Sequence, residues 1–165
     1  MPAPRDLTFA VLRGHPGRES LDLGIAGLEE PDPDIQSRSA ALLLELAQPE
    51  GFATLRLRFP ILAETARDIV RNADGAFLKS CWDTLRAGDE GERLTALECL
   101  AAIGRGDALT ALAEALGDPI ETLRVRAAQA LVDLARAEVE VRQHPPTDLT
   151  PEAESVRRRA IVEAL

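Results

Sequence analysis

Aromatic side chains are scarce in this chain of 165 residues, where phenylalanine, tryptophan and tyrosine together make up 3% and tyrosine is absent. Strands favour aromatic and β-branched residues, so this composition argues against a sheet protein. Apolar residues still make up 45% of the chain, which argues against disorder. The core must therefore be built from leucine, alanine, isoleucine and valine, a set that favours closely packed helices. We expect a single domain at this length.

Residues of the kind that bind metals or carry out redox chemistry are also few. The two cysteines, Cys81 and Cys99, form no C-x-x-C motif, and the two histidines, His15 and His144, each precede a proline. The acidic stretch 29–34 lacks the glycine that a calcium-binding loop needs at its bend. We therefore predict no catalytic residue, no metal and no cofactor, and we assign both cysteines to the apolar core.

Long apolar runs and an excess of positive charge are missing as well. No window reaches the ~18 apolar residues of a membrane span. Arg5 and Asp6 precede only a short apolar run, so a signal peptide is not expected and the expected location is the cytoplasm. The formal net charge of −9 repels phosphate backbones, which argues against nucleic acid as a partner.

What the chain does contain is an internal repeat. Residues 115–136 align without a gap on residues 27–48 after a shift of 88 positions, and on residues 84–105 after a shift of 31. A fourth, less regular copy occupies residues 51–73. The first alignment has these identical pairs: Leu28/Leu116, Pro31/Pro119, Arg38/Arg126, Ala40/Ala128, Leu43/Leu131, Leu46/Leu134 and Ala47/Ala135.

Each copy reads as two amphipathic helices joined by a turn, which in the last copy is residues 117–119. The apolar residues of its second helix recur at helical spacing and are Leu123, Ala127, Ala130, Leu131 and Leu134. The first helix is predicted to bury the face formed by Leu109, Leu112, Ala113 and Leu116. In the copy at 51–73, Leu57 takes the role of Leu116.

A hairpin this short cannot bury both apolar faces alone, so neighbouring hairpins must stack. We therefore predict an all-α fold, an α-α superhelix or solenoid of about four stacked helical hairpins with helical caps.

The repeat resembles the short, PBS-lyase-type HEAT-like helical repeats. The residues that carry the resemblance are Asp118, Pro119, Val125, Arg126, Ala127, Ala130 and Leu131, and in the first copy Glu30, Pro31, Arg38, Ala40 and Leu43. In the third copy Thr95 stands where the family has its arginine, so that copy is expected to lack the link between turn and helix. The copy at 51–73 has a shortened turn around Phe59 and Pro60.

The predicted layout is an N-terminal cap at 1–18, repeats at 19–136, an irregular linker at 137–149 and a C-terminal helix at 150–165. The cap contains a helix over residues 6–14. Ser20 is expected to cap the first repeat helix at its N-terminus.

In the family that the chain resembles, the second helices line a concave surface that usually binds a partner. Four arginines on this surface, Arg67, Arg71, Arg93 and Arg124, are predicted to form a strip that binds an anion or an acidic peptide. The alternative is that each forms an ordinary surface ion pair, and the many acidic residues nearby favour it. Trp82 is expected to pack between repeats.

The predicted function is a non-catalytic scaffold that binds a protein or peptide partner on the concave face. Two alternatives follow from the same resemblance. One is a cofactor-handling, bilin-lyase-like protein, and the less favoured one is a DNA glycosylase-like protein. The scarcity of aromatic residues counts against both. A structural alternative is self-association through the terminal helices.

Overall fold

The computed structural model describes residues 4–73 and 75–143. Within these ranges the protein is all-α, with nine α-helices and one short 3₁₀ turn. The helices are α1 (Pro4–Gly14), α2 (Arg18–Gly27), α3 (Pro33–Leu46), α4 (Pro49–Arg58), α5 (Glu64–Arg71), α6 (Gly75–Ala87), α7 (Glu90–Ile103), α8 (Asp107–Ala115) and α9 (Glu121–Gln143). The 3₁₀ turn, Phe59–Ile61, lies where the sequence predicts a shortened turn.

Several helix ends are set by the residues that stand there. The Asp32 side chain accepts a hydrogen bond from the backbone N–H of Asp34 at 2.9 Å, which caps α3. At the start of α7, Asp89 and Glu92 form a capping box, in which each side chain accepts from the backbone N–H of the other residue. Gly104 ends α7 in the left-handed conformation that glycine adopts without strain.

The prediction that Ser20 caps α2 is wrong. The helix begins earlier, at Arg18, and Ser20 is buried in its first turn. Its hydroxyl donates to the backbone carbonyl oxygens of His15, at 2.7 Å, and Leu12, at 3.2 Å. Ser20 thus ties the end of α1 to α2 and satisfies carbonyl groups of the preceding turn rather than N–H groups of its own helix.

Adjacent helices pack as pairs, most clearly α2 with α3, α6 with α7 and α8 with α9. Two rows of contacts cross these pairs. We call α2, α4, α6 and α8 the first-helix row, because each packs on the next, and α3, α5, α7 and α9 the second-helix row for the same reason. The 3₁₀ turn separates α4 from α5, and α5 packs mainly on α3. The N-terminal helix α1 packs on α3, the position expected of a cap.

One continuous apolar core runs between the two rows. Cys81 of α6 and Cys99 of α7 are both fully buried in it, as the repeat alignment predicts. Phe52 and Phe77 meet edge to face with ring centroids 5.3 Å apart. Each fully buried leucine or phenylalanine of such a core contributes about 1.5–3 kcal/mol of hydrophobic free energy.

The predicted buried faces of the second helices are largely right, but those of two first helices are wrong. In α8 the buried residues are Ala108, Ala111, Leu112 and Ala115. Leu116 is 43% exposed and Leu57 of α4 is 66% exposed. The small alanines, rather than the neighbouring leucines, face the core in α8 because they let the helices approach closely. Periodicity alone cannot distinguish two adjacent faces when both are apolar.

Gly27 marks the closest approach of α2 to α3. A Cβ atom added there would lie 2.1 Å from the Ser39 hydroxyl oxygen, a distance that no larger residue tolerates without a shift of the backbone. The glycine of the first copy is therefore a packing requirement as well as part of a turn.

The predicted start of the linker 137–149 is also wrong, because α9 continues to Gln143. Residues 137–143 contain neither glycine nor proline, so nothing in them ends the helix before the prolines at 145 and 146. The predicted C-terminal helix, 150–165, lies outside the described residues. None of the helices in the described ranges is both long and apolar enough to cross a lipid bilayer.

Candidate functional site

The second-helix row contains a shallow groove of about 410 Å³ between α3 and α5. Four of its lining residues are apolar and three are polar: Ala41, Leu44, Ile69 and Ala73, and Glu45, Asp68 and Asn72. Ile69 is 37% exposed although it lies in a helix whose opposite face is buried. The groove therefore has an apolar floor with acidic side chains beside it.

Arg67 and Arg71 of α5 share the carboxylate of Glu64. Arg71 Nη1 lies 2.5 Å from Glu64 Oε1 and 2.6 Å from Asp68 Oδ1, and Arg67 Nη2 pairs with the other oxygen of Glu64. The hydrogen bond from Arg71 holds the pKa of Glu64 below its ordinary value, and the charge of Arg67 adds to this effect. The two arginines are thus neutralised within their own helix, and Asp68, which Arg71 holds, lines the groove.

Arg93 was expected on the outward surface of α7, and that expectation is wrong. Its side chain is only 15% exposed. Arg93 Nε donates to the carbonyl oxygen of Leu85 at 2.7 Å, and Nη2 pairs with Asp118 Oδ2. The other carboxylate oxygen of Asp118 accepts from the backbone N–H of Ile120 at 2.9 Å. Arg93 therefore ties α7 to the turn before α9, so the third copy has a link despite Thr95.

Arg124 binds the same turn through its backbone. Its Nη1 donates to the carbonyl oxygens of Asp118, at 2.8 Å, and Pro119, at 2.9 Å. The four predicted arginines thus form two groups, one around Glu64 and one around Asp118. The ion-pair alternative describes Arg67, Arg71 and Arg93, whereas Arg124 is held by carbonyl groups.

Gln36 is a functional position that the sequence reasoning missed. Its Oε1 accepts from the backbone N–H of Ala63, at 2.8 Å, just before α5, and its Nε2 donates to the carbonyl oxygen of Glu30 at 2.8 Å. This is the role of Arg93 one hairpin later: the side chain holds its own turn and also the start of the next second helix. The signal was present, since the shifts of 88 and 31 positions place both residues on Arg124.

The cysteine pair lies below the surface. The pKa of Cys99 is raised well above its ordinary value, first because its thiol is hydrogen-bonded to Cys81 and then because burial disfavours the thiolate. A thiol is nucleophilic as the thiolate, so burial and this raised pKa both make Cys99 unreactive near neutral pH.

Trp82 is partly buried against the core, as predicted for packing between repeats. The guanidinium carbon of Arg86 lies 4.9 Å from the centre of its ring, and Arg86 also pairs with Glu114 of α8 at 2.8 Å.

Within residues 4–73 and 75–143, no cluster of three or more histidine, cysteine, aspartate and glutamate side chains is arranged to hold a metal ion. No protein-family model matches the sequence, and no curated protein matches it.

Proposed function

We propose that the chain is a HEAT-like helical-repeat scaffold that binds a protein or peptide segment in the groove between α3 and α5. The observation that carries the proposal is the partly exposed apolar floor of this groove, formed by Leu44 and Ile69 on the second-helix row. Apolar floors with polar rims are typical of surfaces that take up a partner segment.

The repeat interpretation is supported by contacts that recur from one hairpin to the next. First helices pack on first helices and second helices on second helices, as expected of an α-α superhelix. Gln36 and Arg93 each join their own turn to the following second helix. A helical bundle without repeats has no reason to place equivalent polar links at equivalent positions.

The charge around the groove suggests the kind of partner. Glu45 and Asp68 lie beside the apolar floor, and the chain carries a formal net charge of −9. Arg67 and Arg71 are already occupied by carboxylates, so an acidic segment would have to displace these contacts. A segment with apolar anchors and flanking basic residues fits better.

The test is a selection of peptides from a displayed random library against the wild-type protein, followed by affinity measurements on variants. Ile69→Glu places a charge on the groove floor and is expected to weaken binding by about tenfold or more, which is ~1.4 kcal/mol. Leu57→Glu is the matched control, because Leu57 is equally apolar and exposed but lies on α4 of the first-helix row.

Selected peptides that bind both variants as well as the wild type would remove the groove from the proposal. A double Arg93→Ala and Arg124→Ala variant tests the predicted arginine strip in the same assay. Visible absorbance of the purified protein would instead favour the lyase-type alternative, and concentration-dependent oligomers would favour self-association.

A further inference from the structure

A second site is indicated by Arg56 of α4, which is buried without a counter-ion. The residue is only 8% exposed, and its Nη1 donates to the Ser80 hydroxyl oxygen at 2.8 Å. No carboxylate in residues 4–73 or 75–143 forms an ion pair with it. This distinguishes it from Arg93, which is also mostly buried but pairs with Asp118.

An uncompensated buried guanidinium is energetically costly. Arginine keeps its proton at every physiological pH, so it cannot escape the cost of burial by becoming neutral. Buried charges in proteins are accordingly paired with an opposite charge. The position of Arg56 calls for an anion that is not part of the described chain.

Arg56 lines an open cleft of about 510 Å³ between α4 and α6. Ser80 and Lys79 of α6 line the same cleft, and Phe52 contributes an apolar wall. Lys79 pairs with Asp83 at 2.5 Å, so its charge is already balanced. The cleft lies on the first-helix row, away from the groove between α3 and α5, and the inference does not rest on the proposed function.

We propose that this cleft binds a small molecule that carries a carboxylate, with Arg56 as the residue that recognises it. Ser80 occupies one N–H of the guanidinium, which leaves the edge formed by Nε and Nη2 for a two-pronged contact with the carboxylate. Because the Ser80 hydroxyl accepts from Arg56, its own proton is available to the ligand.

The neighbouring charges select a carboxylate rather than a phosphate. Asp83 and Glu92 also line the cleft, and both would repel a dianion more strongly than a monoanion. The Phe52 wall suits a ligand whose carboxylate is attached to an apolar or aromatic body.

The experiment titrates the full chain with benzoate, benzamide and inorganic phosphate at constant ionic strength, with the Arg56 side-chain N–H followed by NMR. Benzamide has the shape of benzoate without its charge, so it separates recognition of the carboxylate from binding of the ring. We expect saturable binding of benzoate, no shift of the Arg56 signal with benzamide, and weaker binding of phosphate.

Arg56→Met removes the charge and keeps an apolar chain of similar length. It is expected to weaken benzoate binding by at least about tenfold and to leave the melting temperature unchanged or higher, because the uncompensated charge is gone. Arg58→Gln is the matched control on the same helix, since Arg58 already pairs with Glu29, and it should bind benzoate like the wild type. Should the methionine variant fail to fold, Arg56→Lys tests the two-pronged contact and should also weaken binding.

The proposal is overturned if benzoate does not saturate by about 50 mM, far above the millimolar Kd that one charged contact provides. Equal binding by Arg56→Met and the wild type overturns it as well. Tighter binding of phosphate than of benzoate overturns the choice of a carboxylate. A melting temperature lowered by several degrees in Arg56→Met, without benzoate binding in the wild type, would make Arg56 a structural residue.

Discussion

Arg93 and Arg56 lie in different rows of helices, and both guanidinium groups are mostly buried, yet their surroundings differ. Arg93 reaches a carboxylate 25 positions along the chain and a backbone carbonyl of the preceding helix. Arg56 reaches one neutral hydroxyl 24 positions along the chain. The first arrangement is complete within the chain and joins two hairpins. The second is incomplete without an anion, which is what distinguishes a binding residue from a structural one.

The largest expected effect tests the complete arrangement. Asp118→Asn keeps an acceptor for the backbone N–H of Ile120 but removes the charge that balances Arg93. Breaking a buried pair from one side typically costs about 3–5 kcal/mol, and we expect a loss near the lower end because the hydrogen bond is kept. Urea unfolding followed by circular dichroism measures it. A loss below about 1 kcal/mol would place the pair among ordinary surface ion pairs.

The Arg93→Met and Asp118→Asn double variant completes a thermodynamic cycle for this pair. Because the double variant leaves no charge unpaired, it should be more stable than Asp118→Asn alone.

A smaller effect of opposite sign is expected where the arrangement is incomplete. Ser80→Asp places a carboxylate next to Arg56 Nη1 and turns its surroundings into those of Arg93. A hydrogen bond between charged groups contributes ~1.5–3 kcal/mol, so after the cost of burying the new carboxylate we expect a gain of about 1 kcal/mol. Benzoate binding should disappear at the same time.

Ser80→Asn is the control for the Ser80→Asp experiment, because asparagine has the same shape without the charge. Equal stability of the two variants would show that Arg56 does not lack a counter-ion.

The alkaline pH dependence of stability is the next effect in size. The pKa of Cys99 is raised by its hydrogen bond to Cys81 and by burial, while the charge of Arg56 acts in the opposite direction. The folded chain therefore keeps a proton that the unfolded chain loses near its ordinary pKa of ~8.5. Stability from this thiol is complete below that pH and is lost as the pH rises towards the folded pKa.

The urea midpoint should accordingly fall between about pH 8 and 10, more steeply in Arg56→Met and less steeply in Cys99→Ala. The titration is simple, because the chain has no tyrosine and its sole lysine is Lys79. A midpoint that is flat over this range would contradict the raised pKa.

The smallest effect is expected at the exposed ion pairs of α5. Arg71→Gln removes the hydrogen bond that holds the pKa of Glu64 below its ordinary value. Any stabilisation from Glu64 is present above its ordinary pKa and is lost as the pH falls through the lowered one. The variant should raise the pKa of Glu64, measured by NMR titration, without a measurable change in stability at neutral pH. A large loss of stability would show that these pairs resemble Arg93 after all.

Much of the fold could be predicted because it depends on local pattern. The spacing of Leu123 and Ala127, the turn at Asp118 and the matched positions of Cys81 and Cys99 all follow from helical periodicity and the shift of 31 residues. The errors occurred where two adjacent faces were both apolar, as at Leu116, or where a serine near a helix start had two possible partners.

The candidate sites could be predicted less well. The sequence placed Arg67, Arg71, Arg93 and Arg124 together on one surface, but it could not assign a partner to any of them. It also gave no reason to single out Arg56, which alternates with exposed residues in a charged stretch of α4.

The sequence alone determined the helical class, the repeat, the turns and the burial of the cysteines, because each follows from residues within a few turns of one another. Only the tertiary structure decided which arginines are neutralised and which one is buried alone. Those outcomes depend on side chains from helices about one repeat apart, such as Arg56 and Ser80 or Arg93 and Asp118. Their distance is set by how the helices pack, and helix packing is not encoded in any local pattern.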